Sequence, residues 1–167
     1  MAYVIVGLGN PGDEYENTRH NTGKIIALRL GYKTLDDFMN NSGKGVAKFV
    51  KSKKAAEKLV VIHDDLDLAL GTFKVSFNKG PGGHRGVASI IKALKTQEFI
   101  RIRVGISPAT PSGKLKKHRS EKKVLDFILG DFKPKELEIL KKLSKKIGEA
   151  VSLIISDGVQ VAMNHSN

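Results

Sequence analysis

Short apolar runs alternate with stretches of helical spacing along this chain, and that alternation predicts an α/β fold. YVIVGL at 3–8 is a short apolar strand. LVVIH at 59–63 is apolar throughout, as a strand covered on both faces should be. Residues 71–78 alternate, with Phe73, Val75 and Phe77 on one face and Lys74, Ser76 and Asn78 on the other. Residues 99–106 alternate too: Ile100, Ile102, Val104 and Ile106 face one way, Arg101 and Arg103 the other. Val87, Ile90, Ile91 and Leu94 predict a helix over 87–97, and Val46, Phe49 and Val50 one over 44–57. The clearest helix is 134–156. Pro134 starts it, Leu137, Leu140, Leu143, Ile147, Val151 and Ile154 form its stripe, and Asp157-Gly158 ends it. The expected fold is one α/β domain, a mixed sheet flanked by helices. Strands 59–63 and 71–78 are close enough in sequence to form its antiparallel pair.

Bulk composition narrows the setting. A chain of 167 residues can bury a core as one domain without staples. It has no run of eighteen apolar residues to cross a membrane, and MAYVIVGLGN lacks the basic start of a signal peptide. With no cysteine, thiol catalysis and thiolate-bound metal are excluded, and a reducing cytoplasm is the expected location. The formal net charge of +12 sets up a field that attracts polyanions, so nucleic acid is the expected partner. Residues 107–123 (SPATPSGKLKKHRSEKK) predict a mobile basic loop carrying Lys114, Lys116, Lys117, Arg119, Lys122 and Lys123. It is either a solvated charge run or a direct ligand contact.

The chemistry collects in three polar segments, GNPGDEYENTRHNTG at 9–23, FMNNSG at 38–43 and HDDLDL at 63–68. Polar loops at the carboxyl ends of strands are where open α/β sheets place their sites. His20 can take a proton from water near neutral pH. Asp64 follows the strand 59–63. If that strand lies parallel to 3–8, His20 and Asp64 share one rim, and the carboxylate fixes the imidazole tautomer. Asn10 and Asn40 can each donate an amide N–H to a carbonyl oxygen; both could instead merely stabilise turns. His63, Asp64, Asp65 and Asp67 are a weak candidate for a metal site, and residues 80–86 for a phosphate cradle. Gly7-x-Gly9-x-x-Gly12, with Asp36 and Asp37 downstream, matches a dinucleotide fingerprint. That fingerprint needs a helix starting at the glycines. Residues 13–24 contain one large apolar side chain, Tyr15, and Pro11 removes an N–H the pyrophosphate would use.

GLGNPGDEY, TRHNTG, FMNNSG, HDDLDL, GPGGHRG, RIRVGI, FILGDF and DGVQVAMN occur here in the order of the bacterial-type peptidyl-tRNA hydrolases. The chain resembles that family nearly end to end. The resemblance implies one α/β domain and hydrolysis of the ester between peptide and tRNA, recycling tRNA from stalled or aborted translation. It implies no metal or organic cofactor, and the chain is expected to act as a monomer. It makes His20 the general base and Asp64 its orienting acid. Asn10 contacts the substrate near the ester, and Asn40 binds and polarises it. Tyr15, Met39 and His84 line the cleft, and Arg103 grips tRNA phosphate. The rival is a non-catalytic RNA-binding relative of the same fold. Four departures stand out. Residues 24–37 are shortened, which trims or rebuilds the sheet edge. Arg85 stands where an asparagine is common, and a cation there could contact phosphate. Ser76 stands where a phosphate-gripping lysine is usual, with Lys74 or Lys79 as substitutes. The basic loop is longer than usual, so that Lys114, Lys116 and Lys117 would add grip.

Overall fold

The computed structural model describes every residue except Met1, Lys117 and Arg119. The expectations for Lys117 and Arg119 therefore lie outside the described residues. Five strands form one mixed sheet: β1 (Val4–Gly7), β2 (Lys33–Thr34), β3 (Leu59–Ala69), β4 (Phe73–Phe77) and β5 (Ile100–Ser107). Their order is β2-β1-β3-β5-β4, parallel throughout except for β4, which runs antiparallel to β5. The helices are α1 (Thr22–Leu30), α2 (Ser42–Val46), α3 (Lys53–Ala56), α4 (Arg85–Leu94), α5 (Glu121–Ile128), α6 (Pro134–Asp157) and α7 (Val159–Ser166).

Both faces of the sheet are covered, as the unbroken apolar run of β3 requires. Val60 and Ile62 pack with Ile26, Ile102, Ile147 and Ile154 on the side of α1 and α6. Leu59 and Val61 pack with Val6, Leu8, Val87 and Ile90 on the side of α4. The predicted stripe of α6 is this core: Leu140, Leu143, Ile147, Val151 and Ile154 are all buried, each contributing about 1.5–3 kcal/mol.

The sequence expectations need correction at four points. First, β3 and β4 are not partners, because β5 lies between them. β5 is buried along nearly its whole length and so belongs inside the sheet, whereas β4, with exposed Lys74, suits an edge. Second, HDDLDL is not a loop; β3 continues to Ala69, with a shift in register against β5 after Asp65. Third, the helix expected over 44–57 is two short ones. Ser52 accepts a hydrogen bond from the Ala55 N–H and starts α3 afresh, while Val50 is buried between them. Fourth, the loop 107–123 is shorter than expected. Ser107 ends β5, a turn at Thr110–Lys114 closes beneath an Ala109–Leu115 bridge, and Glu121 already belongs to α5.

The glycines of the fingerprint serve packing. A Cβ on Gly7 would lie 2.1 Å from the Gly23 carbonyl oxygen, and one on Gly23 would lie 2.0 Å from that of Ile62. These glycines let α1 press its backbone onto β1 and β3. The helix starts only at Thr22, after turns at Asp13–Tyr15 and Arg19–Asn21, so no helix N-terminus meets the glycines. The dinucleotide pattern is thus a coincidence of spacing. Gly23→Ala is expected to destabilise by about 1–3 kcal/mol, because backbone rather than a flexible side chain must move. A thermal melt no lower than the wild type's would contradict this packing.

Candidate active site

His20 sits in the turn that leads into α1, at the carboxyl end of β1. Arg19 anchors this turn. Its guanidinium donates to the Phe127 carbonyl at 3.1 Å, pairs with Glu136 at 3.5 Å and lies over the Phe127 ring. The Arg19 N–H also donates to the Gly130 carbonyl at 3.0 Å. α5, α6 and the histidine turn are therefore tied together through Arg19, a residue of the TRHNTG motif with no role assigned from sequence.

The expected parallel pairing of β1 with β3 does bring His20 to Asp64. His20 Nδ1 and Asp64 Oδ2 are 2.8 Å apart, and both side chains are buried. The other carboxylate oxygen holds His84 Nε2, also at 2.8 Å. His84 caps α4: its Nδ1 accepts from the N–H groups of Gly86 and Val87 at 3.1 and 3.2 Å. That fixes one tautomer, with the proton on Nε2 donated to Asp64. His20 likewise donates from Nδ1, which turns its Nε2 lone pair to the cleft.

These contacts set the charges. Burial would raise the Asp64 carboxyl, but electrostatic attraction to His20 and His84 and the hydrogen bonds from both rings push it well below the usual carboxylate range. Burial would lower His20; the Asp64 carboxylate overcomes this and raises it above the ordinary imidazole value, with Arg85 opposing. His63 is driven well below that value, first by burial and then by the electrostatic influence of the neighbouring His84 and Arg101. It is a neutral ring packed on His84, and its Nδ1 donates to the Asp64 carbonyl at 2.7 Å.

Asn10 is held in place by Asn21. The Asn10 N–H donates to Asn21 Oδ1 at 2.9 Å, and Asn21 Nδ2 donates to the Asn10 carbonyl at 3.0 Å. Asn10 Oδ1 accepts from the Met39 N–H at 2.7 Å, which leaves its amide donor for the cleft. This bond also places Met39 and Asn40 beside the histidines despite the shortened segment before them. A Cβ on Gly86 would lie 2.6 Å from Met39 Sδ, so a larger residue there would displace the Met39 side chain. Asn40 is exposed on the cleft rim, and Tyr15 meets Phe38 edge-on at 6.2 Å between ring centres.

The cleft has a volume of about 610 Å³. His20, Asp64, Asn10 and Asn40 line it with Tyr15, Met39, His84 and Arg85, and α5 adds an apolar wall of Val124, Leu125, Ile128 and Leu129. Lys79 and Arg103 also line it, whereas Lys74, Lys114 and Lys116 do not. Arg103 is engaged internally: its Nε donates to Asp65 at 2.8 Å and its Nη1 to Ser76 Oγ at 3.2 Å. Arg101 is buried and donates to the carbonyls of Lys79 and Gly80, anchoring the glycine-rich loop. Burial and the neighbouring Arg103 lower its pKa to about 10.

The carboxylates suggested as a metal set do not converge. Asp65 pairs with Arg103 and also accepts from the Asp67 N–H. Among the described residues, the grouping close enough to hold a cation is His20, Asp64 and His84, whose donor atoms lie within 4.8 Å of one another. Both imidazoles there hydrogen-bond to the one carboxylate.

A sequence profile for peptidyl-tRNA hydrolases matches residues 4–35 and 32–167, nearly the whole chain. The chain belongs to the peptidyl-tRNA hydrolase family. It is 36% identical over 194 aligned positions to the peptidyl-tRNA hydrolase of Hydrogenobaculum sp., covering 100% of this chain and 98% of that protein. It is 37% identical over 196 positions to that of Thermodesulfovibrio yellowstonii, covering 98% of each. In structure it resembles the peptidyl-tRNA hydrolase of Acinetobacter baumannii, with a TM-score of 0.85 at 27% identity, over 99% of this chain and 94% of that one. The two profile segments meet at 32–35, on the two-residue edge strand β2.

Proposed function

We propose that this protein hydrolyses the ester between a peptide and the 3′-terminal ribose of tRNA, freeing tRNA carried off by stalled or aborted translation. The observation that carries the reading is the His20–Asp64 pair, with His20 Nε2 turned to the cleft and the amide groups of Asn10 and Asn40 beside it. His20 Nε2 takes a proton from water as the oxygen attacks the ester carbonyl. Asp64 supports the imidazolium that forms. Asn10 Nδ2 and the Asn40 amide donate to the carbonyl oxygen as it gains charge. The imidazolium then returns the proton to the ribose oxygen as the acyl C–O bond breaks. No metal or organic cofactor takes part in this scheme. The apolar wall of α5 suits peptide side chains. Arg103 and Lys79, which line the cleft, would meet phosphates next to the ester, with Lys74 beside Arg103 across β4 and β5. On this reading the protein works as a monomer in the cytoplasm.

Turnover of peptidyl-tRNA in the presence of EDTA is the direct test, and binding without turnover would favour the non-catalytic RNA-binding relative. The intact pair favours the enzyme. Phosphate contacts release counterions, so tRNA affinity should fall steeply with salt. Arg103→Gln should weaken tRNA binding and reduce the slope of log K against log salt by about one. An unchanged slope, in a variant with a wild-type melting curve, would remove Arg103 from the phosphate grip.

A further inference from the structure

The mouth of the cleft is crossed by a pair of opposite charges. Arg85 opens α4, directly after the cap residue His84, and Glu121 opens α5, directly after its own cap residue Ser120. Arg85 Nη2 and Glu121 Oε1 meet at 3.4 Å. Both residues line the cleft, and both side chains are exposed.

The place of Arg85 is not explained by its helix. A cation in the first turn opposes the helix dipole, so α4 gains nothing from it locally. Among the described residues its ion-pair partner comes from the opposite wall. Arg85 and His20 line the same cleft, so the guanidinium borders the space a substrate must enter. The pair itself is long, single and solvent-exposed, and such pairs are readily exchanged. A phosphate offers the guanidinium two parallel hydrogen bonds and more charge than one carboxylate oxygen.

We propose that Arg85 selects phosphate-bearing esters and that Glu121 is its exchangeable strap: Glu121 holds Arg85 in the free protein, and a phosphate of the RNA 3′ end displaces it on binding. The inference rests on the reading of the substrate as an RNA-borne ester. An ester without phosphate gains nothing from Arg85, whether Glu121 holds it or not.

The test compares kcat/KM for peptidyl-tRNA with kcat/KM for a peptidyl-adenosine ester, which has no phosphate. Glu121→Gln frees Arg85 and should raise the ratio of the two by about 2–5-fold. Arg85→Gln should lower the ratio by about tenfold. In the double variant the gain from Glu121→Gln should vanish, because Glu121 acts through Arg85. Binding of deacylated tRNA should follow the same order, and that readout does not depend on catalysis. A wild-type protein that binds tRNA but does not turn over peptidyl-tRNA would sink the proposed function and leave the strap testable by binding. A ratio and a tRNA affinity that neither single variant changes would overturn the strap.

Discussion

His20→Ala is expected to lower kcat on peptidyl-tRNA by about 10²–10⁴-fold while tRNA affinity stays within a few-fold of wild type. The split follows from where the groups lie. His20 is buried beneath the cleft and donates to Asp64, whereas the cations proposed to meet phosphate, Arg103, Lys79 and Arg85, are separate groups on the cleft lining. Its wild-type pH profile should show the same residue. Only neutral imidazole can take a proton, so the rate must fall as pH drops through the His20 pKa. The Asp64 carboxylate raises that pKa, so the acid limb should lie above the ordinary value of about 6.5. A limb well below it would mean that Asp64 does not hold its charge against His20. Wild-type turnover by His20→Ala would remove the base altogether.

The reach of the sequence can be judged residue by residue. β1, β3, α4 and α6 were legible because each carries enough apolar side chains to show a period, as the buried stripe Leu140 to Ile154 does. α1, α5 and α7 were not. α1 fully buries only Ile26 and Ala27 beside Thr22 and Gly23 and presses on the sheet through glycine backbone, so its nine residues show no clear apolar period. Strand order is hidden for another reason. A short connection suggests pairing, but the two-sided burial of β5 outweighs the short connection between β3 and β4. The meeting of His20 with Asp64 could be foreseen, since it follows once β1 and β3 are parallel neighbours. That Asp64 has a second imidazole, and that Asn21 clamps Asn10, depends on side-chain contacts across distant segments. No spacing encodes them, although His84 and Asn21 both stood in motifs already singled out.

Asp64→Asn is expected to be nearly as damaging as His20→Ala, for a reason that lies in His84. The backbone N–H groups of Gly86 and Val87 hold His84 Nδ1 as an acceptor, so its Nε2 must carry a proton. An asparagine at 64 must therefore turn its carbonyl oxygen to His84. Its NH₂ group then faces His20 Nδ1 and makes that nitrogen an acceptor. The His20 proton moves to Nε2, where the lone pair is needed, and the base is lost. The loss should be on the order of 10²–10⁴-fold in kcat. It should not add to that of His20→Ala, because the two act as one unit. The amide also lacks the charge that raises His20. Burial then dominates, and the acid limb of the residual activity should move to lower pH. Stability should shift in two pH windows. The depressed Asp64 carboxyl contributes stability above its unfolded pKa of about 3.9, lost as pH falls through the folded value. The raised His20 contributes below about 6.5, lost as pH rises through its folded value. The variant should lose both. Releasing His84 gives the sharper check. In Asp64→Asn with His84→Ser, serine can still cap α4, but the amide is free to turn its oxygen to His20. That double variant should regain part of the activity lost in Asp64→Asn alone. If its kcat is lower instead, His84 does not dictate the orientation of the group at 64.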